Sequence, residues 1–113
     1  YLFFAAGPVE HAVTSEEMGW SVDDSQKQVM VGFGSYERAM DAFEGMLDGR
    51  DYVCGARFTM ADVYVGSQID WGLSFKSIPS RPAFEAYAER VRGRHAYQAA
   101  KSIDMKLIEE AQQ

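Results

Sequence analysis

Six consecutive residues, Phe58-Thr59-Met60-Ala61-Asp62-Val63, constrain this chain more than any other stretch. Thr59 suits the N-cap of a helix, because its hydroxyl can accept a hydrogen bond from an amide that a helix start leaves unpaired. Asp62, three residues on, can reach back to the Thr59 amide, and its charge suits the positive end of the helix dipole. Phe58 and Val63 stand where a hydrophobic staple would pack. From Met60 to Phe75 the charges are Asp62 and Asp70 alone, and apolar or small residues fall on every side. A helix without a polar face is usually buried, so the pattern predicts a central, buried helix over 59–75. Gly66, Ser67 and Gly72 would let neighbouring helices approach it closely.

The rest of the chain reads as helices around that one. Residues 1–19 predict one helix, strained or kinked at Gly7-Pro8, where proline removes a backbone donor. Residues 26–48 predict a second, with Ser25 as a cap and an irregularity at Gly32-Phe33-Gly34. Within it Tyr36, Ala39, Met40, Phe43, Met46 and Leu47 recur at three and four. Gly49 is placed to end it in a left-handed conformation. Tyr52 to Arg57 predicts a short extended linker. Two prolines, Pro79 and Pro82, forbid a helix across 77–82. Helices over 81–92, with Phe84, Tyr87, Ala88 and Val91 as its stripe, and over 95–110, with Tyr97, Ala100, Ile103, Leu107 and Ile108, complete the chain. No long period-two alternation occurs. The expectation is an all-α bundle of about five helices, forming a single domain over 1–113.

Composition sets the outer limits. Hydrophobic residues at 47% exclude disorder, and a net charge of −6 disfavours broad contact with nucleic acid or anionic membrane. No apolar run approaches the ~18 residues of a membrane span. Cys54 is the single cysteine, which rules out an internal disulfide and fits a reducing, cytoplasmic setting. The first residue is Tyr1 rather than Met, and the segment it opens already looks helical, as if the chain began inside a larger protein.

Catalytic signals are sparse. Gly32-Phe33-Gly34 lacks the lysine or third glycine of a phosphate-binding loop. His11 and His95 have no second histidine at a ligand spacing, so no metal is expected. Glu10-His11 beside Gly7-Pro8 could line a cleft or simply sit on the surface. Arg90, Arg92, Arg94 and His95 form the basic cluster; a solvated helix end accounts for it, and a phosphate or acidic-partner site is the sharper alternative. Trp71 and Phe75, one turn apart, are core by default and a ligand wall otherwise. Neither a Ser–His–Asp nor a Cys–His arrangement is visible, and from these residues alone the chain does not read as an enzyme.

The run Tyr52-Val53-Cys54-Gly55-Ala56-Arg57-Phe58-Thr59-Met60-Ala61-Asp62-Val63 resembles the signature of the C-terminal helical domain of cytosolic glutathione transferases. There an aromatic-aliphatic-x-Gly-x-x-Phe-Ser/Thr-x-Ala-Asp run enters the central helix. Phe3-Phe4-Ala5-Ala6-Gly7-Pro8-Val9-Glu10 is similar to that domain's first helix, particularly in bacterial members. Arg81-Pro82-Ala83-Phe84-Glu85-Ala86-Tyr87, followed by Arg90, is similar to the helix after the central one. His95 departs from the pattern, standing where many members have a proline. The family's thioredoxin-like N-terminal domain, which binds glutathione and supplies the activating residue, has no counterpart in this sequence.

The resemblance implies a capping box at Thr59 and Asp62 whose role is structural. It implies that Phe4, Gly7, Pro8 and His11 look toward a pocket for a hydrophobic co-substrate, with Trp71 near its floor. The parent protein would be a cytoplasmic, homodimeric detoxification enzyme transferring glutathione, its co-substrate, to an electrophile. This chain would hold no cofactor, supply no catalytic residue and be inactive alone. The competing class is a non-catalytic transferase-like module serving dimerisation or assembly.

Overall fold

The computed structural model describes residues 2–20 and 25–113, with side chains from Gly7 onward. Six helices and no strand occur among these residues: α1 Leu2–Glu17, α2 Ser25–Met30, α3 Tyr36–Gly45, α4 Met60–Ser74, α5 Pro82–Arg92 and α6 His95–Gln112. The protein is all-α. α1 packs on α3 and on α4, α4 packs on α5, and α5 meets α6, so α4 holds the middle of the arrangement. Pro8 lies inside α1, which continues through it.

The helix expected over 26–48 is instead two. Gly32 and Gly34 take φ of +82° and +78°, a conformation that L side chains rarely adopt, and two such residues close together end a helix rather than distort it. The chain restarts at Ser35, an N-cap in extended geometry whose hydroxyl accepts the Arg38 amide at 3.2 Å. The stripe predicted downstream then does what its spacing requires. Ala39, Met40, Phe43 and Leu47 are buried, and Phe43 meets Phe84 of α5 with ring centroids 5.8 Å apart. Gly49 does take a left-handed φ, +66°, after a turn that follows α3. Ser25 is the first residue of α2, and the polar connection expected before it falls on residues 21–24, outside the described ones.

The linker before α4 is also not extended. Tyr52 and Gly55 exchange two backbone hydrogen bonds, 2.8 and 3.0 Å, which folds residues 52–55 into a tight turn. That turn serves one carboxylate. Asp62, 1% exposed, accepts the Thr59 amide at 2.9 Å through Oδ2. Its Oδ1 accepts the Val53 amide at 3.0 Å and the Tyr87 hydroxyl at 2.8 Å. Thr59 caps α4 as expected, its Oγ1 taking the Ala61 amide at 3.2 Å. Burial, and then the bond to Asp62, push the Tyr87 phenol well above its ordinary value. The capping box is therefore also the joint between the 52–55 turn, α4 and α5.

Three further contacts fix the far end. The Tyr36 hydroxyl donates to the Ser77 carbonyl at 2.7 Å, and Arg81 reaches Asp41 and Glu44 of α3 at 2.8 and 2.7 Å. At Gly72 the Ile78 side chain folds back so closely that a Cβ would lie 2.8 Å from its Cγ1. Pro82 opens α5 at a position where its missing N–H costs nothing.

Two expectations fail on burial. α4 is not buried all round: Ala61, Asp62, Val65, Gly66, Ile69, Asp70 and Gly72 face inward, while Met60, Val63, Tyr64, Trp71 and Phe75 remain exposed. Trp71 and Phe75 are thus not core residues. The stripe of α6 is not buried either; Tyr97 is half-buried, and from Gln98 to the end every residue is exposed. The projecting helix explains a radius of gyration of 15.8 Å, against about 13 Å for a compact chain of this length.

The fold makes two stability predictions. Thr59→Ala should cost about 1 kcal/mol, the loss of one cap. Asp62→Ala should cost about 3 kcal/mol or more, because it strands three donors in a buried place. The double variant should cost less than their sum, since both act on one helix start. Urea midpoints measure all three, and equal costs for the two single variants would contradict the joint. Gly72→Ala should destabilise despite alanine's better helix propensity of ~1 kcal/mol, because Ile78 must move; a raised melting temperature would show that it moves freely.

Candidate ligand cleft between α4 and α6

Helical spacing brings the cleft together. On α4, Val63, Ser67 and Trp71 follow one another at four residues and share a face. On α6 and its N-cap, Arg94, Tyr97 and Lys101 do the same at three and four. The two faces enclose about 310 Å³, with Phe58 at one end and Val91 of α5 below. Gly66 also lines the cleft, and a Cβ there would meet Val91 in ordinary contact at 3.4 Å.

The walls are aromatic and the rim is cationic. Trp71, 57% exposed, lies 5.4 Å from Phe75. The Lys101 ammonium sits over both Trp71, at 5.7 Å, and Tyr97, at 5.5 Å. The Arg94 guanidinium lies 3.7 Å from the centroid of Phe58, which itself meets Tyr52 edge-on at 5.7 Å. Such cation–ring contacts are attractive and leave the charge facing outward. Phe58 therefore leans on Tyr52 and Arg94, and Val63, its expected staple partner, lines the same cleft at 43% exposure.

Asp70 anchors α6 to this cleft from below. It is buried, and accepts Arg92 Nε at 2.6 Å and the Tyr97 hydroxyl at 2.8 Å. The bond to Asp70 raises the Arg92 pKa further; burial first, then the same carboxylate, raise that of Tyr97. The basic cluster of the sequence is thereby dispersed. Arg90 donates to the Asp51 carbonyl at 2.7 Å, Arg92 turns to Asp70, Arg94 to Phe58, and His95 is exposed. No phosphate site is formed by the four together.

The first-helix residues lie elsewhere. Pro8 lines a separate cleft of about 310 Å³ between α1 and α3, with Phe33, Phe43 and Met46. Gly7 is half-buried and His11 exposed; the Phe4 side chain falls outside the described ones. Glu10 accepts Gln68 Nε2 at 2.7 Å, tying α1 to α4. Pro8 and Trp71 are thus not brought to one cleft. Arg94 and Lys101 are the cleft residues that sequence reasoning missed as a pair. Their spacing of seven around Tyr97 was the available signal.

The matched family fits this frame. The family model for the glutathione S-transferase C-terminal domain matches residues 6–95, about four-fifths of the chain. The chain belongs to that family. The match ends where α6 begins. No curated protein and no solved structure matches the chain. Among the described residues no cluster of three His, Cys, Asp or Glu could hold a metal ion, and no helix is long and apolar enough to cross a membrane.

The Tyr97–Asp70 bond yields a pH prediction. Tyr97 has a raised pKa in the folded chain, so the stability it lends is complete below about pH 10, the unfolded value, and falls as the pH rises beyond it. Hydrogen exchange in α6 should accelerate, relative to that in α4, above pH 10. In Tyr97→Phe that pH-dependent difference should shrink, and an unchanged profile would contradict the anchoring.

Proposed function

We propose that the chain is the helical half of a glutathione transferase, and that the α4–α6 cleft holds the apolar part of the electrophile. One observation carries this reading: Trp71 stands exposed on the central helix of a glutathione-transferase domain and lines one cleft with Tyr97 and Gly66. An exposed aromatic wall suits a flat apolar substrate. The thiolate chemistry belongs to another part of the parent polypeptide. A glutathione thiol must be brought toward its anion by a placed donor or positive group, and this reading assigns that role to no residue of this chain. In this reading the parent is a homodimer working in the cytoplasm, where reducing conditions keep glutathione a thiol.

A second reading, a non-catalytic assembly module, draws on Ile103, Met105, Leu107 and Ile108, all more than half exposed on α6. Kinetics on the full-length parent separate the two, since a module shows no glutathione turnover. In the transferase reading Trp71→Ala raises the KM for the electrophile several-fold more than that for glutathione. The melting curve should hardly move, because the side chain is exposed. Pro8→Ala, in the α1–α3 cleft, tests the wall assigned to Phe4, Gly7, Pro8 and His11; a larger KM change there than at Trp71 would move the pocket to the first helix. Calorimetric titration of this chain alone with glutathione should be flat, and saturable binding would overturn the division of labour.

A further inference from the structure

We infer that a second cleft, where the end of α1 faces the start of α3, binds a small quaternary ammonium ion. The inference goes beyond the transferase reading, since this cleft shares no lining residue with the one between α4 and α6. It encloses about 630 Å³, within the roughly 300 to 1,000 Å³ of ligand sites. Trp20, Phe33 and Tyr36 bring three aromatic rings to it, and Glu16 and Glu37 bring two carboxylates. Among the described residues no lysine, arginine or histidine lines it.

Local backbone chemistry puts the rings there. Gly19 takes a left-handed φ of +70°, its amide donates to the Glu16 carbonyl at 3.1 Å, and the Trp20 amide donates to the Ser15 carbonyl at 2.9 Å. This pairing closes the end of α1 and keeps Trp20 beside its last turn. Across the cleft, Gly34 and the Ser35 cap set Phe33 just before α3 and Tyr36 at its first residue. The Tyr36 ring is held from behind, because its hydroxyl donates to the Ser77 carbonyl at 2.7 Å. Trp20, the strongest of the three rings for a cation contact, is 61% exposed.

The charges favour a cation. Among the described residues the ion pairs take Asp41, Glu44, Asp51 and Asp70, and none takes Glu16 or Glu37. The negative end of the α1 dipole adds to them, and its last turn carries no basic residue. The positive end of α3 is answered by the Ser35 hydroxyl and by Glu37 in the first turn. Neighbouring cations are placed otherwise. Arg38 lines the cleft that holds Pro8, Arg81 is bound by Asp41 and Glu44, and Lys27 of α2 does not line this cleft. The Tyr36 phenol registers the field: burial first, then Glu16 and Glu17, raise its pKa against the opposing effect of Arg81.

Rings and carboxylates together select the methylated ion. A primary ammonium is strongly hydrated and needs three acceptors, whereas a quaternary one donates nothing and is satisfied by ring faces. Glu16 and Glu37 are exposed, so they supply charge at the rim without first being taken out of water.

Two probes of one shape test this by NMR titration of the 113-residue chain: choline, and 3,3-dimethylbutan-1-ol, in which carbon replaces the charged nitrogen. Choline should bind about tenfold more tightly. Its shifts should fall on the Trp20 indole, the Gly19 amide and the Phe33 and Tyr36 rings. Trp20→Leu keeps apolar surface but removes the indole face, and should weaken choline several-fold while leaving the alcohol unchanged. Glu16→Gln with Glu37→Gln should do the same without moving the melting curve, since neither carboxylate is paired. Should the variants lose their fold, salt tests the unaltered chain: about 0.5 M NaCl should weaken choline alone. Phosphatidylcholine vesicles present the same group on a lipid surface, and pelleting with them while free choline fails to bind would overturn the inference. Equal affinities for the two probes, shifts confined to other residues, or no binding of choline would overturn it as well.

Discussion

The Asp62 carboxylate is the interaction on which the rest of the structure depends. It is buried, and its two oxygens receive three donors from three parts of the chain: the Thr59 amide at the helix start, the Val53 amide in the preceding turn and the Tyr87 hydroxyl on α5. An ionised carboxylate out of water is costly unless donors replace its hydration. Three of them do so here, and each fixes a different element relative to α4. The capping box is thereby more than a local helix signal. It sets the depth and rotation of α4, and with them which of its residues face the core.

That rotation explains both the success and the failure of sequence reading. Thr59, Asp62 and the inward residues Val65 and Ile69 were legible, because capping chemistry and apolar character act locally. The outward face was not. Met60, Tyr64, Trp71 and Phe75 are as apolar as the core residues between them, and no periodicity separates an apolar face that meets α5 from one that meets solvent. The same limit applies to α6, whose Ile103 and Leu107 have a stripe's spacing with nothing beneath it. The break at 31–35 was visible only as two glycines. Whether such a pair merely loosens a helix or ends it depends on φ, which spacing does not encode.

The candidate cleft was legible in pieces. Trp71 was singled out, Arg94 was counted in a basic cluster and Tyr97 in an apolar stripe, but their meeting depends on how α6 leaves α5. Asp70 decides that. By taking Arg92 from α5 and Tyr97 from α6 it closes the angle between them, and Lys101 follows onto Trp71 one turn later. A buried carboxylate in an apolar run reads from sequence as an oddity. In the structure it is the hinge pin of the cleft.

Asp62 and Asp70 are buried on α4, while Val63, Ser67 and Trp71 of the same helix are exposed. All five line the cleft, so depth rather than a separate face divides anchoring from lining on this helix. Changes to the three exposed residues leave the buried bonds untouched, and changes to the two carboxylates act on the frame. The separation is incomplete at one point. Tyr97 both lines the cleft and donates to Asp70, so one side chain belongs to the cleft wall and to the bond that docks α6. Under the proposed reading, a ligand that bound only while α6 is docked would stabilise the docked helix by as much as docking favours the ligand.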